Sequence, residues 1–264
     1  MDAPLTRIAL GLWVVLILLF LFIPIAIIFV YAFNVSNIQS WPIPGFTLKW
    51  FYSAWANQEI RSALLLSLKA GGLATAIAVV LGSLAALAVH RFEFFGREAV
   101  SFMVVLPIAL PGIITGMALN SFFAFAGIGL SFWTIVIGHA TFCIVIVYNN
   151  VLARMSRVPG SLVEASMDLG ADSWRTFRRV TLPMISTALV AGGLLAFALS
   201  FDEVIVTTFT AGAQNTLPLW IFGAIRLGQR LPEVNVVVLV VTTLTFIPVL
   251  LAYRMMNASG NAEG

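Results

Sequence analysis

Apolar residues run along this chain in blocks rather than in stripes. Residues 9–33, 63–89, 99–125, 132–152, 184–208 and 234–253 are each a mostly apolar run. Each is about 20 residues or longer, the length a helix needs to cross a hydrocarbon layer about 30 Å thick. One long polar segment with a helical pattern interrupts them, residues 163–183, VEASMDLGADSWRTFRRVTLP. The pattern predicts an all-α integral membrane protein with six transmembrane helices, a single membrane domain over residues 1–264, and one loop, 153–183, of distinct chemistry.

The first block follows a lone Arg7 and exceeds the 7 to 15 residues of a signal-peptide core, so it reads as a retained helix. Residues 34–60 are polar and aromatic with Pro42, Pro44 and Gly45, and the second block ends at His90-Arg91. The third holds Pro107, Pro111, Gly112 and Gly116 and is predicted to kink or break near its middle, because proline lacks the amide hydrogen that a helix uses. A turn around Gly127 and Gly129 leads to the fourth. After the fifth, residues 217–227 are amphipathic and too short to cross, which places them at the outer surface. The tail from Asn257 is small and polar and is expected to be disordered.

The polar loop has its own punctuation. Pro159-Gly160 breaks the preceding helix, and Ser161 followed three residues later by Glu164 has the form of a capping box, which predicts a helix starting near Leu162. Gly170 can end that helix after about two turns in the left-handed conformation. Asp172 or Ser173 can then cap a second helix with Trp174, Phe177 and Val180 on one stripe, handing over to the next block at Pro183. Small Ala165 and Ser166, between Leu162 and Leu169, let a partner approach closely.

Composition confirms the class: 61% of residues are hydrophobic and 9% charged, and the mean hydropathy is +1.03. A soluble domain has about 25% charged residues. The single cysteine, Cys143, lies inside an apolar block, so no intrachain disulfide forms and a packing role is expected. The pI of about 9.4 reflects scattered basic residues in loops too short for a nucleic-acid-binding module, so no nucleic acid partner is expected. With both termini inside, Arg7, Arg91, Arg97, Arg154, Arg157, Arg175, Arg178, Arg179 and Arg254 are cytoplasmic and Lys49, Arg61, Arg226 and Arg230 are outside, nine against four. The positive-inside rule then puts the polar loop in the cytoplasm. Lys69, about two turns inside the outer end of the second block, is expected to snorkel outward, with an ion pair to an acid as the alternative.

Within the blocks the candidate chemistry is sparse. Gly192, Ala196 and Ser200 recur every fourth position in the fifth block, a small-residue face for close helix contact. Asp202 lies about 27 Å above Met184 at 1.5 Å per residue, near the outer edge of the hydrocarbon. Two adjacent acids there, Asp202 and Glu203, are costly unless they meet water, a cation or a ligand. Adjacent helical residues point about 100° apart, so one of the two, Asp202 by preference, is expected to face a pore. The alternative is a helix end solvated at the outer surface. His139, Asn120, Asn149 and Asn150 are expected to hydrogen-bond between helices. Trp41, Trp50, Trp55 and Trp220 are expected as interface anchors, with one or two able to stack on an organic cation. Glu93, Glu98, Asp168 and Asp172 read as surface charges or caps. With only His90 and His139, no His-Glu-x-x-His motif and no metal-ligand cluster, an intramembrane enzyme is disfavoured.

Glu164-Ala165-Ser166, with Gly170 after three residues and Val180-Thr181-Leu182-Pro183 after nine more, resembles the EAA loop of the inner-membrane permease subunits of bacterial ABC importers. Ser166 for alanine and Val180 for isoleucine depart from that pattern and conserve size. The resemblance implies a six-helix type I permease fold with a cytoplasmic coupling helix that docks in a cleft of an ATPase subunit. It gives Glu164, Ala165, Ser166, Gly170, Leu182 and Pro183 the coupling role. It further implies a dimer of ATPase subunits, a second permease subunit that by family habit is a different chain, a periplasmic or lipid-anchored substrate-binding protein, and the lipid of the bacterial inner membrane. ATP and magnesium would sit on the ATPase, leaving this chain no enzyme and without a cofactor of its own.

Shorter matches run along nearly the whole chain. Gly45-Phe46-Thr47-Leu48-Lys49-Trp50, His139-Ala140-Thr141-Phe142-Cys143, Ser200-Phe201-Asp202-Glu203, Leu217-Pro218 and Pro232-Glu233-Val234-Asn235 are similar to the smaller permease subunit of spermidine/putrescine-type systems. That resemblance implies a polyamine importer in which Trp50, Asp202 and Glu203 help to pass a cationic substrate. Where that group usually carries Pro-Asp in the third span, this chain has Pro111-Gly112. An acid missing from the path leaves room for a substrate with one amine, 4-aminobutyrate-like or opine-like. The remaining competitor is a proton-coupled secondary transporter that uses the fifth-block acids and needs no ATPase.

Overall fold

The computed structural model describes the backbone of residues 4–260 and the side chains of residues 6–245. In chain order the helices are α1 (Pro4–Tyr31), α2 (Lys49–Ala56), α3 (Gln58–Arg91), α4 (Arg97–Ala109), α5 (Gly112–Phe125), α6 (Phe132–Met155), α7 (Ser161–Asp168), α8 (Ser173–Thr176), α9 (Leu182–Asp202), α10 (Ile205–Thr210), α11 (Leu217–Arg226) and α12 (Leu231–Gly260). Ser62–Trp220 forms one compact unit, and the flanking parts, up to Arg61 and from Ile221, form another. Among the described residues four helical stretches are long and apolar enough to cross a membrane, and five if α4 and α5 count as one bent span. The sixth expected span falls in α12, and its side chains beyond residue 245 lie outside the described ones. Of the tail, residues 257–260 differ from expectation, since α12 carries on to Gly260 as the propagation of an existing helix, and residues 261–264 lie outside the described residues.

In the Ser62–Trp220 unit small residues set the packing. Gly192, Ala196 and Ser200 of α9 face α6: a Cβ on Gly192 would stand 3.3 Å from Val147 Cα, Cys143 Sγ donates to the Ala196 carbonyl (3.3 Å), and Ser200 meets His139. The two helices therefore run antiparallel at close range. α3 has a similar face of Ala70, Ala74, Ala78 and Ala86, all fully buried. Cys143, Val147, Tyr148, Val151, Ile185 and Ala196 fill the core between these helices.

Two expected spans are broken. The third divides at Leu110-Pro111, where α4 and α5 meet at 105°. Leu110 is extended (φ −81°, ψ 143°), the conformation that a following proline imposes. The fifth was expected to continue to residue 208, but α9 ends at Asp202 and Glu203 is extended (φ −72°, ψ 118°). The β-branched run Val204-Ile205-Val206 favours helix continuation weakly, and the Glu203 carboxylate starts α10 by accepting the Val206 N–H (2.9 Å).

The other unit joins α1, the loop 32–48, α2 and α12. Asn34 is fully buried: its Nδ2 donates to the Ile38 carbonyl (3.2 Å), its Oδ1 accepts the Ser36 N–H (3.0 Å) and its carbonyl accepts the Trp50 indole N–H (2.8 Å). Glu233, in the first turn of α12, is buried and accepts from Ser53 Oγ (2.5 Å) and Asn57 Nδ2 (3.0 Å), which ties α12 to α2. α1 is apolar on every side and exposed throughout residues 6–24, a surface matched to hydrocarbon rather than water.

Candidate functional site

The loop between α6 and α9 holds a short helix bounded by turns. The expected capping box is not made, and α7 begins one residue earlier, at Ser161, with no side-chain cap. The reason is that the Glu164 amide, which the Ser161 hydroxyl would have taken, already bonds the Gly160 carbonyl (3.2 Å). Gly170 ends the helix as expected: at φ +81° it allows Ala171 N–H to reach the Ser166 carbonyl (3.1 Å) and Gly170 N–H the Met167 carbonyl (2.9 Å), a Schellman arrangement. Asp172 caps α8, its Oδ1 accepting the Arg175 N–H (2.7 Å).

The second helix does not stop at Pro183. α8, a five-residue π-helical turn Phe177–Thr181 and α9 make one continuous rod from Ser173 to Asp202. The Leu182 amide bonds the Phe177 carbonyl five residues back, and this wider turn directly before Pro183 makes room for its ring. Trp174 stacks on Phe177 (ring centroids 5.7 Å apart) but is exposed, while Phe177 and Val180 are half-buried.

α7 rests on this rod through one polar contact, Ser166 Oγ to Thr176 Oγ1 (3.0 Å). Glu164, Ala165, Gly170, Leu182 and Pro183 are exposed, and Ser166 is half-buried by that contact. Beneath α7 lies a cavity of about 340 Å³, lined by Leu87, Met155, Val163, Glu164, Met167 and Phe177 among others.

At the other end of the rod the two acids have different surroundings. Asp202 is the last residue of α9 and exposed, with no ion-pair or hydrogen-bond partner among the described residues. Glu203 is half-buried and committed to the Val206 amide. His139 lies behind them, 1% exposed, with Nδ1 at 2.7 Å from Ser200 Oγ and Nε2 at 2.8 Å from Thr207 Oγ1. Asn120 Nδ2 donates to the Phe209 carbonyl (2.7 Å) and Thr134 Oγ1 to the Thr210 carbonyl (2.7 Å), so α5 and α6 hold the end of α10. A Cβ on Gly112 would lie 3.7 Å from Ile205 Cγ2, so residue 112 adjoins the start of α10.

Trp50 belongs to the other unit. Its indole N–H is committed to Asn34, and Lys49 Nζ stands 4.3 Å from the ring centroid, so this ring already accepts a cation on its face. Trp220 is buried, contrary to the interface role expected of it, because it lies on the inward side of α11 with Leu217 and Pro218. Lys69 is exposed and makes no ion pair with the described acids. No group of three His, Cys, Asp or Glu among the described residues could hold a metal ion.

Residues 78–261, which include the polar loop and the acid-bearing break, match the family described as binding-protein-dependent transport system inner membrane component. The chain belongs to this family. The permease is 32% identical over 209 residues to the spermidine/putrescine transport system permease protein PotC of Haemophilus influenzae, covering 79% of this chain and 81% of that one. It is 34% identical over 216 residues to the putrescine transport system permease protein PotI of Escherichia coli, covering 78% and 75%. Its fold is similar to a chain of a bacterial ABC transporter involved in the import of the acidic polysaccharide alginate, with a TM-score of 0.71 over 96% of this chain and 99% of that one, at 15% identity. The permease thus has the all-α fold of ABC importer membrane subunits, with several helices able to span a membrane.

Two features of the permease escaped the sequence reading. The small-residue face of α3 was visible in the spacing of Ala70, Ala74, Ala78, Gly82 and Ala86, the same signal that marked α9. The capping role of Glu203 had no local signal, because it depends on a helix break that the run from Ser200 to Thr208 does not announce. His139 bonds between helices as expected, and only its partners, Ser200 and Thr207, had to be found in the fold.

Proposed function

We propose that the permease is one of two membrane subunits of an ATP-driven importer that carries a polyamine, putrescine or spermidine, into the bacterial cytoplasm. The observation that carries this reading is the identity of about one third to PotC and PotI over more than three quarters of the chain. α7 is the coupling helix, held by a separate ATPase dimer through Glu164, Ala165, Ser166 and the Gly170 turn, and the arginine distribution supports cytoplasmic termini. ATP and magnesium belong to that dimer.

The mechanism follows from the rod. A push on α7 passes through Ser166, Thr176 and the π turn into a helix of 30 residues, about 45 Å long, whose far end carries Asp202. Closure of the ATPases would move this lever as a body and open the cavity toward the binding protein. The exposed Asp202 carboxylate offers an unpaired negative charge to an incoming ammonium. Separation of the ATPases then lets the substrate leave inward.

A second reading keeps the transporter class and changes the cargo. Residue 112 adjoins the start of α10 and is glycine, so the acid pair has no third carboxylate from that position, which favours a substrate with one amine, such as a 4-aminobutyrate-like compound.

Uptake of labelled putrescine by cells expressing the whole transporter decides between them, with unlabelled spermidine or 4-aminobutyrate as competitor, in wild type and Asp202→Asn. Competition by spermidine and loss of uptake in the variant are expected. Competition by 4-aminobutyrate alone moves the cargo to amino acid-like compounds, and uptake without any ATPase partner would return the proton-coupled reading.

A further inference from the structure

We propose that His139 is a positioning residue that clamps the break between α9 and α10 and thereby fixes where the Asp202 carboxylate stands. The proposal rests on the reading of Asp202 as part of the substrate path.

A helix break inside a span leaves amides and carbonyls without helical partners; Asn120 and Thr134 hold the far end of α10, at Phe209 and Thr210, and the two-residue joint itself is fixed only by what crosses it. His139 crosses it. Nδ1 bonds Ser200 before the break (2.7 Å) and Nε2 bonds Thr207 after it (2.8 Å).

The proton count gives the chain of bonds a direction. Thr207 has one hydroxyl hydrogen, and it goes to the Glu203 carbonyl (2.7 Å), an acceptor that the break has freed. Thr207 Oγ1 therefore accepts from the ring, Nε2 carries the hydrogen, and Nδ1 accepts the Ser200 hydroxyl. The Glu203 carboxylate in turn caps the Val206 amide. Ser200, His139, Thr207, Glu203 and Val206 form one connected series, and Asp202 is the polar side chain at the break left outside it.

The ring is held from behind. One turn along α6, Cys143 Sγ donates to the Ala196 carbonyl, and the next contact places Gly192 against Val147 and Asn150, so α6 is a fixed support. A buried histidine that only joined α6 to α9 would need its bond to Ser200. The bond to Thr207, beyond the break, is what a clamp adds.

The test uses the complete transporter in nanodiscs and in cells. Hydrogen exchange of peptides covering residues 203–208 and the KM of putrescine uptake are measured for His139→Leu, His139→Gln and the near-isosteric Thr207→Val. His139→Leu and Thr207→Val each remove two of these bonds and are expected to speed exchange at least about tenfold, the effect of losing one buried hydrogen bond, and to raise KM by a similar factor with a smaller fall in maximal rate. His139→Gln, with one acceptor and one donor, should restore most of both. If His139→Leu fails to insert, Thr207→Val still removes the crossing bond.

Unchanged exchange in Thr207→Val would overturn the clamp, and faster exchange with an unchanged KM would overturn the positioning role. If Ser200→Ala alone reproduces the whole effect and Thr207→Val none of it, His139 joins α6 to α9 and does nothing more. Should Asp202→Asn transport like wild type, the path reading falls, and the exchange measurement still judges the clamp.

Discussion

A Cβ added to Gly82 would stand 2.8 Å from the Ile144 carbonyl oxygen, so α3 and α6 meet backbone to backbone at this point. A carbonyl oxygen inside a helix cannot swing aside as a side chain can. Gly82→Ala should therefore force the two helices apart, at a cost of about 1–3 kcal/mol. At Gly116 an added Cβ would meet Phe209 Cδ2 at 2.7 Å, Cγ at 3.2 Å and Cβ at 3.3 Å, a side chain that can shift more readily than a helical backbone. Melting of the purified permease in detergent is expected to show a larger loss for Gly82→Ala than for Gly116→Ala, and the reverse order would contradict this account of the packing.

Gly170 offers a separation of backbone from contact. It sits at φ +81° with nothing within 4 Å of an added Cβ, so substitution strains only the turn, by about 1–2 kcal/mol for valine and less for asparagine. Gly96 has the same geometry, φ +86° in open space, in a different loop, outside the proposed coupling helix. Gly170→Val should abolish ATP-coupled uptake with normal membrane insertion, while Gly96→Val should keep uptake. Equal uptake in the two variants would remove the coupling assignment.

The two adjacent acids should behave differently. Glu203→Gln retains an oxygen for the Val206 amide, so uptake should persist, whereas Glu203→Ala loses the cap at about 1 kcal/mol and should loosen residues 204–208 in hydrogen exchange. Asp202→Asn should stop uptake with exchange unaltered. If Glu203→Gln were as damaging as Asp202→Asn, both carboxylates would belong to the path.

Residue 112 is a place to add charge. An aspartate fits there, since the nearest heavy atom to its Cβ would be Ile205 Cγ2 at 3.7 Å. Gly112→Asp is expected to lower the concentration of spermidine that half-competes with putrescine by up to about fivefold, the worth of one exposed ion pair, and to leave 4-aminobutyrate competition no stronger. No change for spermidine would mean that position 112 lies off the path.

The sequence by itself determined the class, the apolar blocks, the polar loop with its glycine-ended helix and the small-residue face of α9. These are local properties: an apolar run of sufficient length, a glycine at a turn, an aspartate ahead of a helix, small residues four apart. Gly170 and Asp172 are found where the spacing put them because turn and cap chemistry act over a few residues. The missed capping box at Ser161 and the uninterrupted passage through Pro183 show how backbone hydrogen bonds override a side-chain signal when carbonyl partners are near.

Only the tertiary structure decided where the fifth span ends and what its acids do. The sequence set Asp202 and Glu203 side by side in one helix and could separate them only by angle. The fold parts them chemically, making one a cap and leaving the other exposed, because His139, 61 residues from Ser200 and 68 from Thr207, reaches both sides of a break that those residues could not hold alone. Contacts at that separation depend on how helices pack, and an apolar block carries no record of which neighbour its few polar groups will meet.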